Sequence, residues 1–209
     1  MSLFLDLLFP RRCYGCGKIG KYFCQKCQSE LFPLSLDPKS QRLSLFKYTG
    51  SIQKAITDLK YRFITDITDE LTDISVKSIR KNYPRLLKYW QENKFVIISI
   101  PLYWQRFNWR SFNQSDLLAK NIARKLKLKY LPSLLSKTKN TKPQASFTQK
   151  IYRLKNLNHA FIVNPPAGEP IPKNIIIFDD VYTTGATLKS AASILKKHCK
   201  DIWFLTLAS

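Results

Sequence analysis

The chain has 209 residues and a formal net charge of +21, from 35 Lys and Arg against 14 Asp and Glu. That length suits one medium domain plus a small appendage, able to bury a core without disulfides holding it together. The longest apolar stretches, such as Phe95 to Ile100 and Ile175 to Phe178, fall far short of the ~20 residues a membrane span requires, so no membrane insertion is expected.

Met1 to Phe9 is apolar but interrupted by Asp6, with no basic leader and no small-residue cleavage site. It reads as a short capping helix rather than a signal peptide, and the expected location is cytoplasmic. Next come Cys13, Cys16, Cys24 and Cys27, spaced CxxC-x7-CxxC. Two such knuckles aim paired thiolates at one point, as a tetrahedral zinc ion at ~2.3 Å from each sulfur requires. Gly15 and Gly17 ease the first turn. Disulfides and a redox CxxC pair are the alternatives, but clustered thiols in a reducing compartment usually bind metal. Four thiolates close the coordination sphere, so the zinc is expected to be structural. Cys199 stands apart and reads as a small core residue, and neither His159 nor His198 is given a role.

Pro33 to Ser44 is a polar link, which sets the expected division at residue 40: a zinc-ribbon-like module over 1–40 and the main domain over 41–209. Leu45 to Tyr48 resembles a strand. Ser51 to Phe63 carries a helical stripe at Ile52, Ile56, Leu59 and Phe63, with Ser51 as the expected N-cap. A second helix covers Asp66 to Tyr83 and ends before Pro84. Phe95 to Ile100 reads as a strand buried on both faces, and Ser115 to Leu126 as a helix. Ser136 to Gln149 has no periodicity and is expected to form a mobile loop. Ala160 to Val163, Ile175 to Phe178 and Ile202 to Leu207 are strand-like, and Ala186 to Lys197 is helical. This alternation predicts an α/β fold with a parallel sheet flanked by helices, whose ligands bind at the carboxyl ends of strands near a topological switch point.

Basic charge concentrates between Lys77 and Asn158, where nineteen Lys and Arg meet only Glu92 and Asp116. Such a field favours polyanions, whether a pyrophosphate, a nucleic-acid backbone or an anionic surface, although a solvated basic face would look the same.

The stretch Ile175 to Leu188 is the most informative. A buried strand delivers Asp179 and Asp180 at its end, and a turn with Thr183, Thr184, Gly185, Ala186 and Thr187 then opens a helix. Backbone N–H groups and hydroxyls at a helix N-terminus cup a phosphate, and carboxylates just upstream accept hydrogen bonds from sugar hydroxyls or gather hydrated Mg²⁺. A sugar phosphate satisfies both halves. No GxxxxGK[ST] P-loop and no Rossmann fingerprint occurs in the chain.

This stretch resembles the signature that binds phosphoribosyl pyrophosphate (PRPP) in type I phosphoribosyltransferases. With the four cysteines, the blocks Ile100-Pro101-Leu102, Arg110 to Gln114, Thr141 to Gln144, Arg153 to Asn156 and Ala160-Phe161 are similar, in order and spacing, to the ComF family of competence-associated proteins. The resemblance implies a type I phosphoribosyltransferase-like fold, with Asp179 and Asp180 on the ribose and Mg²⁺, and residues 183 to 187 on the 5-phosphate. It further implies a pyrophosphate loop carrying Arg106, Arg110, Asn113 and Gln114. A closing segment would carry Lys137, Lys139, Gln144 and Arg153, and Lys60 and Arg62 are weaker candidates. The implied activity is pentosyl transfer from PRPP. The alternative is a non-catalytic component of DNA uptake that binds single-stranded DNA or a helicase, with Tyr103, Trp104, Phe107, Trp109 and Phe112 available to stack on bases. Ser111 stands where the family pattern has glycine, so a backbone requiring glycine there would be strained, which would weaken pyrophosphate binding.

Overall fold

The computed structural model describes residues 10–34, 36–138 and 160–209. Five strands form one parallel sheet: β1 (Arg42–Phe46), β2 (Val96–Ser99), β3 (Lys129–Tyr130), β6 (Asn174–Val181) and β7 (Asp201–Ala208), in the order β1-β7-β6-β2-β3. A separate antiparallel ribbon pairs β4 (Leu135–Lys137) with β5 (Phe161–Val163). Ser136 and Lys137 thus lie in a strand, not in the expected loop, because Lys137 pairs with Phe161. Lys139, Gln144, Arg153 and the N-terminal capping helix lie outside the described residues.

β6 is central, and its run Ile175 to Phe178 is buried on both sides. Alternate side chains feed two cores, as the period of a strand dictates. Ile176 and Phe178 join Ile97 beneath α3 (Ile67–Asn82) and α6 (Gln114–Leu126). Ile175 and Ile177 join Ile98 and Ile100 beneath α7 (Ala186–Leu195). The crossover from β2 to β3 therefore runs on one face of the sheet, and the crossover from β6 to β7 on the other. β2 and β6 are hydrogen-bonded neighbours, so their carboxyl ends frame the topological switch point where open α/β sheets bind ligands.

Two helices complete this layer, α2 (Gly50–Tyr61) and α4 (Pro84–Glu92), while α5 (Trp104–Arg110) buries only Arg110. The N-cap of α2 is Thr49, with no side-chain cap bond, and Ser51 lies within the helix, which corrects the expectation for that residue. Gly50, at φ +55°, makes the entry to α2. α4 begins with Pro84 at its first turn, where the missing N–H costs nothing.

The four-cysteine segment, with the short helix α1 (Gln25–Ser29), is packed into the sheet domain. Phe23 is fully buried in the larger core. The Glu70 carboxylate of α3 accepts hydrogen bonds from the backbone N–H of both Tyr22 and Phe23, at 3.1 and 2.8 Å. Tyr14 donates to Asp58 and Tyr22 to Asp66, while Arg11 pairs with Asp66. These bonds satisfy the amides and hydroxyls that packing would otherwise strand without water.

Candidate functional site

The cysteine cluster tests directly against zinc. The four Sγ atoms lie within 4.8 Å of one another, and Cys16 and Cys24 are 3.7 Å apart. A tetrahedron of ~2.3 Å zinc–sulfur bonds has an edge of about 3.8 Å, so the residues fit the ion. Gly15 is required by space, because a Cβ there would lie 2.6 Å from Cys27 Sγ. The backbone N–H of Cys24 donates to Cys13 Sγ at 3.4 Å. Burial alone would raise the Cys13 thiol, but backbone hydrogen bonds from Cys24, Cys16 and Gly15 draw it down to about 6, while the hydrogen bond with Cys24 and then burial push Cys27 up to about 12, so the sulfurs share protons that a metal ion would displace.

At the switch point, β6 presents Asp179 and Asp180 to opposite surroundings, as the strand's alternation demands. Asp180 is 4% exposed and engaged on both oxygens: Lys60 Nζ donates to Oδ1 and Gln114 Nε2 to Oδ2, each at 2.9 Å. Gln114 Oε1 in turn accepts from Arg110 Nη1. Arg110 is buried beneath the rings of Tyr61 and Trp109, at 5.6 and 5.7 Å from their centroids, and its Nε has no hydrogen-bond partner among the described residues. Arg110 thus faces inward and builds a polar chain across α2, β6, α6 and α5. Burial lowers its guanidinium, and the charge of Asp180 opposes that effect. Burial would likewise lower Lys60, but the charge of Asp180 and the hydrogen bond to it overcome this and hold the ammonium above its ordinary value.

Asp179 accepts on Oδ1 from Ser115 Oγ at 3.1 Å and from the N–H of Asp180 at 2.9 Å. Burial, followed by the neighbouring Asp180 charge, pushes its carboxyl up to about 7. Asn113 caps α6: its Oδ1 accepts from Ser115 N–H, and its Nδ2 ties the segment to the carbonyl of Ile100. Asn113 therefore ties the start of α6 to the end of β2. Ser111 sits at φ +63°, the left-handed region, immediately after α5. The strain expected from the missing glycine is present, at about 1 kcal/mol. Lys137 lies within electrostatic reach of both Arg106 and Asp179. Burial and then the Arg106 charge lower the Lys137 ammonium, while Asp179 raises it. Lys137 also lines a cavity of about 620 Å³ at the end of β2, with Ser99, Asn113 and Asp116 among its walls.

The turn after β6 is built around Gly185, the N-cap of α7, at φ +69°. A Cβ there would overlap the Tyr182 ring, so only glycine fits. Thr183 and Thr184 are exposed, and Thr184 Oγ1 accepts from Ala186 N–H at 3.4 Å. With Thr187 in the first turn of α7, this is an open helix start whose amides lack intrahelical partners.

Sequence reasoning underrated Lys60 and did not foresee that Gln114 would grip Asp180. The partners are 120 and 66 residues apart, beyond any local pattern. Among the described residues, no helix is long and apolar enough to cross a membrane.

Two outcomes follow from this geometry. Elemental analysis of reduced protein is expected to give one zinc per chain; chelation or Cys24→Ala should remove it and lower the melting temperature by roughly 10 °C or more. For Asp179, the raised carboxyl makes the native state bind more protons than the unfolded one between about pH 4 and pH 7, so its contribution to stability is lost as pH rises through that window. Relative to Asp179→Asn, the parent should lose on the order of 2 kcal/mol over that range in urea melts, and parallel profiles would refute the assignment.

Residues 4–39 match the family model described as a double zinc ribbon domain. Competence protein F of Haemophilus influenzae is 26% identical over 189 residues, covering 88% of this chain and 78% of that protein. DNA utilization protein YhgH of Salmonella typhi is 34% identical over 180 residues, covering 84% and 72%. For several other YhgH proteins the alignment spans 43% of the relative's length. A hypoxanthine phosphoribosyltransferase from Staphylococcus aureus superposes with a TM-score of 0.38 at 16% identity, covering 70% of this chain and 62% of that one. With its four-cysteine module, its parallel sheet and these relatives, the chain belongs to the family of competence protein F and DNA utilization protein YhgH.

Proposed function

We propose that this protein binds PRPP or a related ribose phosphate at the β2/β6 switch point and transfers its ribosyl carbon to an acceptor, in the service of DNA uptake or use. One observation carries the reading: a carboxylate pair and an open, glycine-capped helix start lie on the same strand end, with basic side chains across from them. The 5-phosphate would rest on the turn of Thr183 to Thr187, where amides and the helix dipole favour an anion. Asp179 would accept the ribose hydroxyls. Lys137, in electrostatic reach of Asp179, and Arg106, in reach of Lys137, would receive the pyrophosphate, whose departure they would stabilise electrostatically. Asn113 and Gln114 order the loop between them. Lys139, Gln144 and Arg153, outside the described residues, would complete the closing segment. A divalent cation such as Mg²⁺ enters this reading with the pyrophosphate, whose hard oxygens are its natural ligands; Asp180, already engaged by Lys60 and Gln114, does not fit the role of its anchor.

Within this reading, residues 1–40 form a zinc-held structural module, residues 41–209 form the ribose-phosphate domain, and the protein acts in the cytoplasm. A second reading has its own support. Tyr61, Phe63, Trp104, Phe107 and Trp109 are all 43% or more exposed, and Phe63 packs edge-on against Trp109 beside Arg110. Exposed rings of this kind suit stacking of unpaired bases, which would make single-stranded DNA, or a helicase carrying it, the partner.

PRPP with Mg²⁺, supplied at about ten times its Kd, is expected to stabilise the folded protein by roughly 1.4 kcal/mol, read as a rise in melting temperature, and Asp179→Asn should abolish the rise. An unmoved melting temperature in the parent at millimolar PRPP contradicts the ribose-phosphate reading. The DNA reading expects single-stranded DNA binding that weakens steeply with salt and with Trp109→Ala; salt-independent binding contradicts it.

A further inference from the structure

Of the two carboxylates that end β6, only one is open to a ligand. Asp180 spends Oδ1 on Lys60 Nζ and Oδ2 on Gln114 Nε2, both at 2.9 Å, in a site 4% exposed. Asp179 uses Oδ1 for Ser115 and the Asp180 amide, and its Oδ2 has no hydrogen bond among the described residues. Lys60 reaches Asp180 from the last turn of α2 with its side chain only 18% exposed. Burying an ammonium is costly unless an opposite charge meets it, so this lysine is held there by the carboxylate and neutralises it in return. A divalent cation takes six or more oxygen ligands and is repelled by an ammonium, so a carboxylate already bound to Lys60 is a poor anchor for one.

Resting on the ribose-phosphate reading, we propose that Lys60 is the resident cation of this site. It holds Asp180 away from the ligand and supplies the positive charge that a metal would otherwise bring to the carboxylate pair, so that a ribose phosphate binds through Asp179 and the Thr183–Thr187 turn without a divalent cation. Lys60 acts through Asp180 and is a positioning residue. Gln114, anchored by Arg110, performs the matching task on the other oxygen. The arrangement explains why Arg110 turns inward: its guanidinium fixes the amide orientation of Gln114, so that the amide nitrogen faces Asp180.

Ribose 5-phosphate, which lacks the metal-seeking pyrophosphate, is the probe. Its binding is measured by calorimetry in EDTA and in millimolar MgCl₂, on the full chain. The parent should bind equally in both, within about threefold. Lys60→Met should lose at least about tenfold in EDTA, because an unpaired buried carboxylate then faces Asp179, and should regain part of that loss with magnesium. Lys60→Arg should keep binding in EDTA. Lys60→Met combined with Asp180→Asn removes both charges, which protects the fold if the single variant is unstable, and should restore binding in EDTA; a role that is only structural would leave this double variant no better than the single one. A parent that binds only with magnesium overturns the inference while leaving the ribose-phosphate reading intact, as does a Lys60→Met variant that binds like the parent in EDTA. A parent that binds in neither buffer overturns both.

Discussion

A carboxylate buried at the end of a central strand must find partners inside the protein, and Asp180 organises much of this structure by that need. Its companions come from three helices: Lys60 from α2, Gln114 at the start of α6 and, through Gln114, Arg110 at the end of α5. Removing any one would strand a charge or an amide in a buried site. The same requirement sets the two carboxylates apart. Asp180 is satisfied by the protein, while Asp179 retains an oxygen with no donor among the described residues and a raised affinity for a proton. Adjacent, chemically identical side chains thus come to hold different tasks through strand alternation alone.

The sheet gives this network its place. Because α6 and α7 cover opposite faces, the chain parts after β2 and β6 and leaves a crevice with a helix start on each side. One start carries Asn113 as its cap; the other is opened by Gly185. The cysteine module supports the arrangement from the far side of α3, where Glu70 grips its backbone and Phe23 completes the core. The four-thiolate cluster has the size that closes around zinc, and the module packs on the helix layer that covers the sheet.

How much of this could be read from the residues depended on range. The run Ile175 to Phe178, the paired aspartates and the Gly185 turn are contiguous, and their identities follow from local geometry. The cysteine spacing is equally local. Lys60 was different: it lies at the border of the apolar stripe of Ile52, Ile56 and Leu59, where a solvated lysine would look the same, and only the tertiary fold brings it to Asp180. Arg110 and Gln114 stood in a stretch expected to face pyrophosphate, but α5 is seven residues long, too short for periodicity to announce it, and its C-terminal arginine turns into the core. The left-handed Ser111 was legible as a departure from glycine, and the backbone there keeps the conformation that glycine would favour at the cost of strain. The helix start at Thr49 rather than Ser51 reflects a left-handed Gly50 that a cap preference does not foresee.

The central claim is that one carboxylate serves the ligand and the other serves the protein. A crystal structure of the complex with ribose 5-phosphate tests it most directly. The account predicts phosphate on the amides of the Gly185 turn, a ribose hydroxyl on Asp179 Oδ2, and Asp180 still bonded to Lys60 and Gln114. A ligand seated elsewhere, or an Asp180 that leaves Lys60 to take the ribose or a metal, would contradict it.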